Sequence, residues 1–127
     1  MHTPVSTALT GIILFAHGSR DPLWKLPIEA VAERIRQRQA DAQVACAYLE
    51  LTTPDLPSVA AQMVASGAVR IRIVPMFLGV GRHAREDLPV LVSELRATHP
   101  QADFELQAAV GENPLLIDLM AQIAIDS

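Results

Sequence analysis

The sequence predicts an α/β fold: a four-stranded, mostly parallel sheet flanked by helices, in a single domain. Four short apolar runs alternate with four amphipathic stretches, the rhythm of repeated βα units. A chain of 127 residues is the size of one domain. Half of those residues are apolar, enough to fill a packed core.

The first pair is a strand near 11–16, Gly11-Ile-Ile-Leu-Phe-Ala16, and a helix near 23–39 whose Trp24, Ile28, Val31 and Ile35 share one face. The second is a strand near 43–49 and a helix near 54–66. There Leu56, Val59, Ala60, Met63 and Val64 keep the helical period, and Gly67 stands where a left-handed cap belongs. The third is a strand near 70–75 and a helix carrying Leu88, Leu91, Val92 and Leu95. Pro89 lacks an N–H and crowds the carbonyl four residues back, so that helix is expected to start near Asp87, with 79–86 as a loop. The fourth is Asp103-Phe-Glu-Leu-Gln107, alternating like an edge strand, and a last helix opened by Asn113 as cap with Pro114 in its first turn. Residues 1–10 are expected to be a flexible tail and 11–127 one domain.

Composition excludes several function classes. The chain has 14 acidic against 10 basic residues, a formal charge of -4. Its arginines are scattered, so nucleic acid is not an expected partner. The lone Cys46 rules out a disulfide framework or a cysteine-built metal site. No apolar run reaches the roughly 18 residues of a membrane span, and the start lacks the pattern of a signal peptide. The chain reads as cytoplasmic, with no membrane partner. So high an apolar fraction in so small a domain points to a homodimer, since a small domain leaves much of its surface in water.

In a parallel sheet all strand-to-helix junctions lie along one edge, outside the carboxyl ends of the strands, where ligands collect. Here those junctions hold His17-Gly-Ser-Arg-Asp21, Glu50-Leu-Thr-Thr53, Met76 to Asp87, and Gly111-Glu112. They contain most of the chemically useful side chains. Imidazole with carboxylate suits iron, cobalt, nickel or zinc, and His17, His83 and Glu50 form such a set from three loops. No short motif joins them. Gly18 and Ser19 suggest a tight turn with free N–H groups, and Arg20 adds a cation, together an anion cradle beside His17. His83 lies between Arg82 and Arg85 in the expected loop.

At Phe15-Ala-His-Gly-Ser-Arg-Asp-Pro22, Tyr48-Leu-Glu-Leu51 and Pro75 to Pro89, the chain resembles the small CbiX-type sirohydrochlorin chelatases of the class II chelatase superfamily. The resemblance implies a chelatase-like lobe, a homodimer whose copies stand in for the two lobes of longer chelatases, and insertion of a divalent metal into a tetrapyrrole. Co2+ is the first choice, with Fe2+ or Ni2+ as alternatives, in cobalamin or siroheme biosynthesis. His17 and His83 become metal ligands and catalytic residues, with Glu50 a catalytic carboxylate near the metal. The metal is substrate, and no organic cofactor is expected. Ser19, Arg20, Gly81, Arg82 and Arg85 are candidates to bind the macrocycle's carboxylates, and Met76, Phe77 and Leu78 its flat apolar face. Two rivals are a non-catalytic metal or tetrapyrrole carrier and a phosphoryl-transfer enzyme with a histidine nucleophile.

Overall fold

The computed structural model describes residues 10–126. The strands are β1 (Thr10–Ala16), β2 (Gln43–Tyr48), β3 (Arg70–Pro75) and β4 (Asp103–Leu106), in the order β2-β1-β3-β4. Every pairing is parallel. The helices are α1 (Leu26–Arg38), α2 (Leu56–Ala65), α3 (Arg82–Thr98) and α4 (Pro114–Ile125), with a short 3-10 helix at Val110–Glu112 before the last. The expected tail at 1–10 lies outside the described residues except for Thr10, which already belongs to β1.

Alternation along the strands divides the core in two. Ile13 and Phe15 of β1, with Ile71 and Ile73 of β3 and Phe104 of β4, bury against Leu56, Val59 and Met63 of α2 and Leu88, Val92 and Leu95 of α3. Leu14 and Val44 face the other way and bury against Ala32 of α1, with Ile28 and Ile35 packed around them. The helix before Leu26 does not form. Residues 22–25 turn under Asp21, whose Oδ1 accepts from Leu23 N–H at 2.9 Å and whose carbonyl accepts from Trp24 N–H at 3.1 Å. Ala32, not Val31, is therefore the buried centre of α1.

The expectations for α2 hold. Asp55 caps it by accepting from Ser58 N–H at 2.9 Å, and the Ser58 hydroxyl together with that N–H holds the carboxyl below its ordinary range. Gly67 ends it at φ 99°. For α3 the expected start at Asp87 is wrong: the helix begins at Arg82 and carries Pro89 inside it. Proline there removes one bond, to the carbonyl of Arg85. Arg85 and Pro89 both lie on the exposed side, where water can satisfy that carbonyl. The additional turn buries Ala84 in line with Leu88, Val92 and Leu95, so the gain on the core side outweighs one orphaned acceptor.

Candidate active site

β1 and β3 are neighbours, yet the chain leaves β1 for α1 on one face and β3 for α3 on the other. Where successive connections part in this way, a crevice opens beyond the carboxyl ends of the strands. His17 is the residue immediately past β1 and is exposed. Its ring rests on Phe77, with centroids 4.6 Å apart and planes inclined at 48°. Phe77 is buried and meets Phe15 edge-on at 6.1 Å, so the core itself sets the height and tilt of the imidazole. His83 is also exposed and sits in the first turn of α3, not in a loop as expected. Among the described residues neither imidazole has a hydrogen-bond or ion-pair partner, which leaves ring nitrogens available to a metal.

Three junctions are stitched together around His17. Its carbonyl accepts from Glu50 N–H at 3.0 Å. Thr52 Oγ1 accepts from Ser19 N–H at 2.9 Å and donates to the Ser19 carbonyl at 2.7 Å. Gly18 adopts φ 98°, and a Cβ there would collide with the Glu50 carbonyl. Leu51 is left-handed at φ 65°, a conformation costing about 1 kcal/mol for a residue with a side chain. On the other flank, Gly111 N–H donates to the Phe77 carbonyl at 2.9 Å, and Gly111 lies directly on the Leu78 backbone.

These bonds revise the sequence expectations. Ser19 N–H is not free to hold an anion, because Thr52 takes it, and the Ser19 hydroxyl accepts from Asp21 N–H at 3.0 Å. The free donors lie elsewhere. Gly81 is the N-cap of α3 and supplies no side-chain cap, so the first-turn N–H groups of a 17-residue helix face outward with its positive dipole end. Arg20 and Arg85 make no ion pair among the described residues, and Arg82 reaches Glu86 at 3.7 Å with both side chains largely in water, a weak hold.

The apolar wall is likewise divided. Met76 is half-buried on the α1 side, Phe77 is a support beneath His17, and only Leu78, 65% exposed, presents itself to a ligand.

The expected trio of His17, His83 and Glu50 does not assemble: among the described residues no three His, Cys, Asp or Glu side chains stand close enough to share a metal. Sheet order explains this. Glu50 follows β2 and His83 follows β3, on opposite sides of β1, two strand spacings or roughly 10 Å apart at their roots. Glu50 is exposed and makes no ion pair among the described residues. Cys46 is half-buried, and burial pushes its thiol up, as for an unreactive packing residue. Burial likewise pushes the hydroxyl of Tyr48 up to about 12. A cleft of about 440 Å³ between α2 and α3 is lined by Leu49, Leu56, Val90 and Leu91 with Asp55, Asp87 and Glu94; neither histidine borders it. Thr52 and Leu51 are the contributors that sequence reasoning missed.

The chain is similar to known proteins in sequence and in fold. The sirohydrochlorin cobaltochelatase of Methanococcus aeolicus is 33% identical over 84 residues, 66% of this chain and 59% of that protein. The chain spans about three-fifths of the length of these curated relatives. A crystal structure described as a cobalamin (vitamin B12) biosynthesis CbiX protein from Marinobacter aquaeolei VT8 superimposes with a TM-score of 0.80 at 33% identity, over 92% of this chain and 95% of that one. SirB, the sirohydrochlorin chelatase of Bacillus subtilis subspecies spizizenii solved with cobalt, shares the fold at a TM-score of 0.77 and 21% identity, over 92% of this chain but 50% of its own. The family model CbiX matches residues 11–127, a span that takes in all four strands except Thr10 of β1, together with His17, His83 and every junction described above, and the chain therefore belongs to the CbiX family.

Proposed function

We propose that this chain inserts a divalent metal ion into sirohydrochlorin, with Co2+ as the first substrate and Fe2+ or Ni2+ as alternatives, working in the cytoplasm as a homodimer. The observation that supports this best is a pair of exposed, unpartnered imidazoles at the exits of two adjacent strands, in a family whose relatives include sirohydrochlorin cobaltochelatases. His17 and His83 hold the ion. Two ligands and open positions suit the task, because a closed four-ligand site would retain the metal instead of releasing it. Both donors are borderline in softness, as cobalt, iron and nickel prefer.

Insertion exchanges two ring N–H protons for one M2+, so a base must stand near the pyrrole nitrogens. Glu50, bonded through its backbone N–H to the carbonyl of His17, accepts one. A histidine that has given up its metal accepts the other. No electron moves, and no organic cofactor is called for. The carboxylates of the macrocycle meet Arg20, Arg82 and Arg85 and the N–H groups opening α3, a local positive field in a chain of net charge -4. Leu78 covers part of its flat face.

His83→Ala tests the reading. Because the side chain is exposed, stability should change by less than about 0.5 kcal/mol. Insertion, followed by anaerobic absorbance of sirohydrochlorin with Co2+, should fall at least a hundredfold while the free macrocycle still binds. Near-normal insertion by the variant would remove His83 as a ligand.

A further inference from the structure

The turn that follows β2 is strained, and what the strain delivers is a single hydroxyl. Leu49 N–H and Glu50 N–H donate to the carbonyls of Ala16 and His17 at 2.9 and 3.0 Å, so the pairing of β1 with β2 continues two bonds past the end of β2. There the two backbones part. Thr52 N–H turns back to the Glu50 carbonyl at 2.8 Å around Leu51, whose φ is 65°. A bond that spans two residues about a positive φ is the rare, strained form of the γ-turn. The Leu51 side chain gains little in return, being 55% exposed, so the benefit of the turn must be sought in its neighbours.

That benefit is the direction given to Thr52. The turn brings its half-buried side chain onto Ser19, 33 residues earlier in the chain. The hydroxyl accepts from Ser19 N–H at 2.9 Å and donates to the Ser19 carbonyl at 2.7 Å. One oxygen thus grips both polar groups of one backbone residue, on a β-branched side chain with little freedom at χ1. Between the two grips, Gly18 leaves the place of its Cβ to the Glu50 carbonyl.

The consequence falls on His17. A lone bond at the His17 carbonyl would fix one distance and let the peptide planes beyond it pivot. With Ala16 and His17 bonded on one side and Ser19 gripped on the other, the backbone that carries the imidazole cannot turn, and Phe77 fixes the ring from below. Donors that must meet an ion need to be held to within about 0.5 Å.

We infer that Thr52 is a positioning residue for metal capture: through its two bonds to Ser19 it holds the His17 backbone where the imidazole meets the ion. Thr52 acts through Ser19 and is not itself a ligand. The inference deepens the proposed function and rests on its assignment of His17.

The test is Co2+ binding to the full chain by isothermal titration calorimetry, with insertion into sirohydrochlorin measured alongside. Thr52→Val keeps the shape of the side chain and removes both bonds, so its Kd for Co2+ should rise about tenfold, as when an outer partner of a metal ligand is lost. Thr52→Ala, a smaller lesion, should match it. Thr52→Ser keeps the hydroxyl and should bind close to the parent value, and the circular dichroism of all three should match the parent. Parental affinity in both hydroxyl-free variants would overturn the inference, as would an equal loss in Thr52→Ser, which would trace the effect to packing. A parent that shows the expected binding series but inserts no metal would uphold Thr52 while defeating the functional reading. A parent that inserts metal while the hydroxyl-free variants bind and insert equally well would do the reverse, and a parent that binds no Co2+ would defeat both.

Discussion

Gly18 is where backbone and chemistry meet most tightly. Its φ of 98° and its contact with the Glu50 carbonyl leave no room for a side chain, so Gly18→Ala should cost about 2 kcal/mol or more in urea unfolding. Gly79→Ala, at a position with open space, should cost under about 0.5 kcal/mol. Equal effects would mean that the stitched junction does not hold His17. The placement of His17 and His83 beyond strand ends was legible in the sequence because each follows an apolar strand-like run, and a parallel sheet sends all such exits to one edge. The role of Thr52 was not, since its partner Ser19 lies 33 residues away and only the β1 to β2 register brings them together. For the same reason the N–H of Ser19 read as free when it is spent, and Phe77 read as a surface for ligand when it is the floor beneath an imidazole.

Among elements, α3 departs furthest from its sequence. Proline near the middle of an apolar period ordinarily marks a boundary, and local chemistry alone cannot weigh one lost bond against the burial of Ala84. That balance predicts that Pro89→Ala restores a bond to Arg85 and raises stability by about 1 kcal/mol, less than the full penalty of an interior proline because proline also restrains the unfolded chain. A rise of several degrees in Tm is the expected readout; a fall would show that Pro89 fits the helix without strain. The error mattered for function, since starting α3 at Arg82 changes His83 from a loop residue into part of a rigid first turn. It also moves the free N–H donors from the Gly18 turn to the head of α3. The other elements were readable to within three residues at each end, because their caps and periods agree with their burial.

On the scale of the whole molecule, a four-stranded lobe sets His17 and His83 beyond the ends of two adjacent strands and Glu50 on the far side of β1 from His83. The fold class was evident from alternation alone. The separation of Glu50 from His83 was not, because sequence order places the three junctions in succession while the sheet places the first between the other two. The proposed function calls for a two-histidine grip on the ion with Glu50 as base, and X-ray absorption at the cobalt edge of the Co2+-loaded protein tests it most directly. Two imidazole ligands are expected in the parent and one in each of His17→Ala and His83→Ala, whereas cobalt spectra unchanged in both variants would contradict a two-histidine site.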